Sequence, residues 1–208
     1  MDAKDRILQK AHELFYRFGV RSVSMDDIAA PLGMSKKTLY QYYVDKEELV
    51  GAVFLTVMEQ NRTHCLRDVA VAENAIHEVF LAFDRVEEMF ATMNPSILFE
   101  LQKYHPNVFA KFKQFKNEFL YNIIRANLER GKAEGLYRAD IDADVLTRFR
   151  LHSLLLAFNP EVYPADPARM VHIEQQLLEH YMYGLATAKG VKLIQKYKNQ
   201  QHKKIQHA

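Results

Sequence analysis

The stretch SMDDIAAPLGMSKKTLYQYYVDK, residues 24–46, concentrates hydroxyl, amide and ammonium groups on a short piece of chain. Lysine and glutamine side chains can bond base edges in the major groove of DNA, and hydroxyl groups can bond phosphate oxygens. The candidate DNA-contacting residues are Ser24, Ser35, Lys36, Lys37, Thr38, Tyr40, Gln41, Tyr42 and Lys46. For this segment taken alone, a solvated helix with ordinary surface lysines is the alternative.

Two short helices joined by a glycine turn must position these groups. The Ser24 hydroxyl can accept the backbone N–H of Asp27 and so begin the first helix near Met25. Gly33 stands where the end of that helix commonly needs positive φ, and Ser35 can cap the second helix. The pattern predicts a helix-turn-helix.

The second helix separates inward anchors from outward polar groups. At about 100° per residue, Leu39 and Tyr43 fall on one side, whereas Lys37, Thr38 and Gln41 fall on the opposite side. We therefore predict that Lys37 and Gln41 read bases. Lys46 and Tyr42 would mainly hold the phosphate backbone.

Pro31 lies inside the first helix of this pair. Proline removes one backbone donor and disfavours helical geometry at Ala30. We expect this helix to be shortened or bent by a turn, with little effect on the second helix after Ser35.

A wider pattern surrounds the two helices. A helix of about fifteen residues ending RFGV precedes S-x-x-x-I-A-x-x-x-G-M-S-x-x-T-L-Y-x-Y-Y-x-x-K-E-x-L. Residues 1 to roughly 55 thereby resemble the N-terminal DNA-binding region of the TetR family of transcription regulators. The resemblance implies that Lys46 contacts a phosphate.

Composition and periodicity favour an all-α fold. The 208 residues are 49% hydrophobic and 26% charged, with seven glycines, six prolines and long helical periodicities. With the resemblance, we expect an N-terminal three-helix DNA-binding domain over residues 1–50. A TetR-like helical-bundle domain for ligand binding and dimerisation would span 51–190, and a basic tail 191–208. We expect Asp45 and Glu48 to form a capping box for the helix that links the first two parts.

Charge is unevenly distributed along the chain. Residues 1–50 carry no net charge, residues 51–188 carry −4 and residues 189–208 carry +6, which gives +2 overall. The predicted DNA-binding part is therefore not globally basic. Attraction to DNA must come from the local placement of its lysines and from helix N-termini.

The sequence favours a cytoplasmic protein. No run of about 18 uncharged apolar residues occurs, and the N-terminus is charged where a secretion signal would be apolar. Cys65 is the single cysteine, so an intrachain disulfide is excluded. We expect no membrane association.

Thirteen phenylalanines, eleven tyrosines and eight methionines leave enough large side chains to line an apolar cavity as well as a core. The resemblance places an effector pocket in the same part of the chain. The candidate pocket residues are Phe54, Met58, Asn61, Phe83, Met89, Phe90 and Phe119. For each of them, simple core packing is the alternative. A ligand for such a pocket would be hydrophobic or amphiphilic.

Two apolar stripes near the C-terminus suit a helical dimer interface, and the resemblance implies a four-helix bundle between two subunits. The candidate interface residues are Phe149, His152, Leu156, Ile173, Leu177, Tyr181 and Gly184. After Gly190 we expect a frayed, solvated extension. The alternative is a helix that continues and contacts the partner or DNA.

No signature of catalysis or of metal or nucleotide binding occurs, so we expect neither an enzyme nor a cofactor. His64 and Cys65 cannot aim at one ion from a regular helix, and His172 and His180 lie two turns apart. We predict a ligand-responsive repressor that acts as a homodimer on a palindromic operator. The alternative is a small-molecule binding protein whose helix-turn-helix no longer reads DNA.

Overall fold

The computed structural model describes residues 2–164 and 166–206, and the regular structure of these residues is helical, as predicted. The α-helices are α1 (Ala3–Phe18), α2 (Met25–Ala29), α3 (Lys36–Tyr40), α4 (Lys46–Val71), α5 (Ala75–Thr92), α6 (Ile97–Tyr104), α7 (Pro106–Gln114), α8 (Tyr121–Ala133), α9 (Ala143–Ser153), α10 (Pro167–Leu185) and α11 (Ala188–Gln206). Two 3-10 turns, Ala30–Leu32 and Leu156–Phe158, and a π-helical segment, Phe115–Leu120, join some of them.

Side-chain caps set the starts of the two short helices, as predicted. The Ser24 hydroxyl accepts the N–H of Asp27 at 3.2 Å, and the Asp27 carboxylate accepts the N–H of Ser24 at 2.8 Å. Ser35 accepts the N–H of Thr38 at 3.0 Å. The two bonds accepted by the serine hydroxyls satisfy backbone donors that a helix N-terminus leaves unpaired.

Pro31 shortens α2 to five residues, which confirms the predicted effect of the proline. The chain continues as the 3-10 turn Ala30–Leu32 and reverses at Gly33, whose φ is 67°. The second helix still starts directly after Ser35.

The start of α4 differs from the predicted capping box in one bond. Asp45 accepts the N–H of Glu48 at 2.8 Å, as expected. The Glu48 carboxylate accepts from the N–H of Val44 at 2.6 Å instead of from Asp45. Asp45 therefore caps α4 alone, and Glu48 fixes the residue that precedes the cap.

Two hydrophobic clusters hold the helices together. The first contains residues of α1, α2, α3 and α4 together with parts of α5, α6, α7 and α10. The second contains residues of α5, α8, α9, α10 and α11. Phe15, Leu39, Val53 and Leu101 all belong to the first cluster, although they come from four different helices. The helix-turn-helix therefore shares its core with the helices that follow it.

The long apolar segment after Pro106 is not one regular helix. Residues Phe115–Leu120 form a π-helical segment between α7 and α8. Such segments widen the helix locally and often occur at functional sites. Here the segment buries Phe115 and Lys116.

The expectation of a frayed extension after Gly190 is wrong for the residues described through Gln206. They belong to α11, which packs against α5. The Tyr197 ring stacks on His77 with centroids 4.9 Å apart, and its hydroxyl bonds Asn74 and Glu73 at 2.9 and 3.0 Å. Ile194 is fully buried beside them, so apolar and polar contacts both fix the helix. None of the helices described is long and apolar enough to cross a membrane.

Candidate DNA-binding surface and ligand cavity

Residues 36–43, which form α3 and the turn after it, present polar side chains to solvent and apolar side chains to the core. The regular helix ends at Tyr40, so Gln41 and Tyr43 lie just beyond it. Leu39 and Tyr43 are buried, while Lys37 and Gln41 are exposed on the other side. Tyr40 and Tyr42 are exposed beside them. The pattern thus correctly separated anchors from outward groups, and the contacts of those outward groups with DNA stay a prediction.

The hydroxyl groups of this region already serve the helix ends. Ser24 bonds the Asp27 carboxylate at 2.7 Å, and Ser35 lies 2.8 Å from the Thr38 hydroxyl. The Ser24 oxygen accepts one backbone N–H and donates to Asp27, so it retains one lone pair. These residues hold the shape of the surface before they can bond a phosphate.

The two adjacent lysines of α3 differ in their partners. The Lys36 ammonium donates to Asp26 at 2.7 Å, and this bond raises the pKa of Lys36. Within the described residues, Lys37 has no ion pair. Lys37 is therefore the α3 lysine whose charge is available without breaking a contact.

Lys46 lies differently from the other candidate residues. Its ammonium donates to the carbonyl of Val20 at 2.6 Å and lies 5.9 Å from the centroid of the Phe15 ring. Burial lowers its pKa. In this conformation Lys46 holds the start of α4 against the loop that follows α1, and its phosphate contact stays a prediction.

A large cavity lies among α1, α4, α5, α6 and the segment from α7 to α10. Its volume is about 1200 Å³. Six of the seven predicted pocket residues line it, namely Phe54, Met58, Asn61, Phe83, Met89 and Phe90. Pure core packing is therefore not the full account of these side chains.

Phe119 is the exception, and its assignment to this cavity is wrong. It lines a second cavity of about 540 Å³ between α4 and the chain from α7 to the start of α8. Its ring stacks on Phe115 with centroids 5.2 Å apart and lies 4.3 Å from the Arg62 guanidinium. The π-helical segment changes the rotation of residues along the helix, so regular helical spacing misplaced this ring.

Sequence reasoning missed the charged groups around the main cavity. Three carboxylates are buried, and each faces an arginine: Asp68 with Arg85, Glu78 with Arg130, and Glu174 with Arg150. Burial raises the pKa of Glu78 and of Glu174. Among the described residues, no group of three or more His, Cys, Asp and Glu is placed to hold a metal ion.

Lys116 and Tyr181 also line the cavity and were not predicted to do so. A signal for Lys116 existed in the sequence, because it lies four residues after Phe112 and so shares the apolar face of a helix. Tyr181 was assigned to the dimer interface because it belongs to an apolar stripe. The pattern could not distinguish a stripe facing a cavity from one facing a partner.

The predicted interface residues divide between the surface and the core. Phe149 is 49% exposed, and His152 and Gly184 are also exposed. Ile173 and Tyr181 are only 7% exposed, so packing within the chain covers them and their assignment to the interface is wrong. Leu156 and Leu177 are half-buried.

An exposed apolar surface remains on α9 and α10, which we call the α9–α10 face. Its members are Val145, Phe149, His152, Tyr183 and Gly184. A methyl group added at Gly184 would meet no atom within 4 Å. The face is thus open to contact by another chain.

Helix α6 contacts both the cavity and the DNA-binding region. Leu98 and Leu101 line the cavity. From the same helix, the Glu100 carboxylate accepts the backbone N–H of Arg21 at 2.8 Å, and Tyr104 accepts from the Arg21 guanidinium at 3.2 Å. A displaced α6 would therefore move the loop that enters α2.

This fold and this surface define a helix-turn-helix transcription regulator. The family model for bacterial regulatory proteins of the tetR family matches residues 7–53. The uncharacterized HTH-type transcriptional regulator YvaF of Bacillus subtilis is 32% identical over 164 residues, which span 76% of this chain and 82% of that protein. The chain belongs to the TetR family.

Two further comparisons extend over most of the chain. The HTH-type transcriptional repressor KstR2 of Mycolicibacterium smegmatis is 23% identical and covers 91% of this chain and 93% of its own length. A transcriptional regulator from Saccharomonospora viridis, solved in complex with choline, superposes with a TM-score of 0.69. It is 19% identical and covers 89% of this chain and 98% of its own. Likeness at this identity concerns the fold alone.

Proposed function

We propose that this protein is a ligand-responsive repressor that binds a palindromic operator as a homodimer. The observation that carries the proposal is the position of α4 and α6. Phe54 and Met58 of α4, and Leu98 of α6, line the cavity, and the other parts of these helices hold the DNA-binding region. A ligand that displaces either helix therefore changes the DNA-binding geometry.

Such a shift requires the ligand to bind one arrangement more tightly than the other, because equal binding moves no equilibrium. Allosteric coupling typically amounts to about 1 to 3 kcal/mol. A bound effector should therefore weaken operator binding by roughly 5- to 150-fold. One of the relatives is called a repressor, which supports the proposal that the effector relieves repression.

The DNA-reading role rests on the outward groups of α3. Lys37 and Gln41 are exposed, and Lys37 carries no competing ion pair within the described residues. We propose residues 1–50 as the DNA-binding domain, residues 51–190 as the ligand-binding and dimerisation domain, and α11 as a helix that packs on the latter. The proposed phosphate contact of Lys46 requires its ammonium to leave the Val20 carbonyl.

The homodimer is proposed to form through the α9–α10 face. A palindromic site needs two reading helices about 34 to 36 Å apart, or a multiple of that distance. Phe149 is the largest apolar side chain exposed on this face. Tyr181 supports the face from beneath, because its ring stacks on Phe149 with centroids 6.1 Å apart.

One experiment tests the operator and the dimer together. Binding of the full-length protein to DNA covering its own promoter is measured by fluorescence anisotropy at several salt concentrations, with sedimentation in parallel. The wild type should be dimeric at micromolar concentration, and its affinity should fall steeply with salt.

Phe149→Glu should give monomers with weak DNA binding, because it introduces a charge on the exposed face without disturbing the core. Val71→Glu is the matched control, since Val71 is also an exposed apolar residue but ends α4. A monomeric wild type overturns the dimer. A wild type that binds small molecules but no promoter DNA supports the alternative, a binding protein whose helix-turn-helix no longer reads DNA.

A further inference from the structure

We propose that the effector is an amphiphile with an anionic head group, and that Lys116 and Tyr181 bind that head inside the cavity. This inference rests on the proposed ligand-responsive function and specifies the chemistry of its ligand. It follows from an unbalanced charge, an unpaired hydroxyl and an apolar wall that lie in one cavity.

The unbalanced charge belongs to Lys116. Each of the three buried carboxylates described above is paired with an arginine. Lys116 is only 8% exposed, and within the described residues no carboxylate lies within 4.0 Å of its ammonium. Burial lowers its pKa, and the positive charge of Lys113 lowers it further. A buried charge without a partner is costly, and an anion would compensate it.

The unpaired hydroxyl belongs to Tyr181. It is buried and makes no hydrogen bond within the described residues. Burial raises its pKa, so the hydroxyl keeps its proton and can donate to an oxygen anion. Most buried polar groups in proteins have a partner, and an exception of this kind calls for one.

The remainder of the wall suits a hydrocarbon tail. Phe54, Met58, Phe83, Met89 and Phe90 line the same cavity as the two polar groups. Ligand pockets usually measure roughly 300 to 1000 Å³, and this one is at the upper end or beyond it. Methionine adapts to tails of irregular shape.

The π-helical segment explains how a lysine enters this wall. Phe112 of α7 and Phe115 of the segment line the cavity beside Lys116. Backbone geometry of this type inserts a residue into a helix and often marks a binding site. The wall therefore presents a cation among aromatic rings, which favours an anionic head over a quaternary ammonium such as the choline bound by the Saccharomonospora viridis regulator.

Four probes with the same tail test the head group on the full-length protein by isothermal titration calorimetry. They are decanoate, decyl phosphate, decanol and decyltrimethylammonium. Both anions should bind, and decanol should bind roughly tenfold or more weakly, because hydrogen bonds to charged groups contribute about 1.5 to 3 kcal/mol. Equal binding of decanol and decanoate, or tighter binding of the ammonium, overturns the proposal. The tighter of the two anions identifies the head as a carboxylate or a phosphate.

Lys116→Met tests the residue, with Lys111→Met as the matched control on an exposed lysine of α7. The first variant should raise the melting temperature of the ligand-free protein, because an uncompensated charge leaves the interior. It should also remove the preference for decanoate over decanol. The control should leave both quantities unchanged.

Lys116→Arg retains the charge and should retain the preference, which keeps the test informative if the methionine variant does not fold. Tyr181→Phe should weaken the binding of decanoate and leave the binding of decanol unaffected. Unchanged preference in both Lys116→Met and Tyr181→Phe overturns the proposal.

Operator binding is measured separately in the same samples. A wild type that binds its promoter but prefers no anion overturns the assigned head group and leaves the regulator function intact. One that binds decanoate through Lys116 but binds no DNA supports this inference and overturns the proposed function.

Discussion

The DNA-binding region and the helices around the cavity place their polar groups by different means. Near the DNA-binding surface, the side chains that cap the short helices bond groups three residues away, as Ser24 does with Asp27. Around the cavity, ionic partners are distant in sequence: Glu174 meets Arg150, and Glu78 meets Arg130 across 52 positions. Local bonds keep the first set at the surface, whereas the fold itself must bring the second set together. Substitutions should therefore be tolerated better in the first region.

The largest expected effect is the loss of a buried partner. Glu174→Ala should destabilise the protein by about 3 to 5 kcal/mol, because it leaves Arg150 buried without its carboxylate. Urea unfolding measures this change. The double variant Arg150→Met, Glu174→Leu should recover most of the loss, since two apolar groups need no partner.

The matched control is the exposed pair of Lys36 with Asp26 in the DNA-binding region. Asp26→Ala should change the free energy of unfolding very little, since solvent screens such pairs. Similar losses for Asp26→Ala and Glu174→Ala would remove the contrast between the two regions.

The next effect concerns recognition and leaves folding unchanged. Gln41→Ala should lose about 1 to 3 kcal/mol of discrimination at one base pair of each half-site. Selection of bound sites from randomised DNA measures it. Lys37→Ala should relax a different base pair. Unchanged sequence preference in both variants would show that the exposed face of α3 does not read bases.

A smaller loss is expected at the cap of α2. Ser24→Ala should cost about 1 kcal/mol, because one backbone donor of the helix loses its acceptor. Ser96→Ala is the control, since Ser96 precedes α6 but makes no side-chain cap bond. Thermal unfolding compares the two. If Ser96→Ala lost as much stability as Ser24→Ala, the local bond of Ser24 would not be the cause of the loss.

As the pH falls, the contributions of Asp27 and Glu174 to the stability of the fold should change in opposite directions. The bonds from Ser24 hold the pKa of Asp27 below its ordinary 3.8, so its contribution to stability is present above that pH and is lost as the pH falls through the folded value. Burial raises the pKa of Glu174 above its ordinary 4.5, so its contribution is present below 4.5 and is lost as the pH rises through the raised value.

The pH dependence of unfolding should therefore differ between wild type and Asp27→Asn in acid only. The difference between wild type and Glu174→Gln should grow above pH 4.5. A common sign for both variants would contradict the assigned causes. The Asp27 effect should be the smallest of all, because that carboxylate is exposed.

The contrast also explains what the sequence could predict. Caps, the glycine turn and the effect of Pro31 depend on residues within a few positions, so the pattern of residues 24–46 contained them. The facing of Leu39 and Gln41 followed from helical periodicity. Long-range pairs such as Asp68 with Arg85 leave no periodic signal, and neither does a change of helix type.

Apolar stripes gave partial information about the remainder. Six of the seven residues that they nominated line the main cavity, but the stripes could not tell a cavity wall from a subunit interface, so Tyr181 was misassigned. The π-helical segment displaced Phe119 from its expected side. The basic composition of the C-terminus suggested solvation, whereas Ile194 and Tyr197 anchor α11 to α5.

The bond between Glu100 and residue 21 involves the backbone N–H, so any amino acid other than proline at position 21 preserves it. Exchanging Arg21 would therefore alter the outer surface while the linkage between α6 and the DNA-binding region persists. The choice of residue is constrained instead at Gly19, where φ is 84° and a methyl group would lie 2.9 Å from the Glu100 carboxylate. Any residue but proline at position 21 therefore keeps this bond, whereas a residue with a Cβ at position 19 must adopt a positive φ and displace the Glu100 carboxylate.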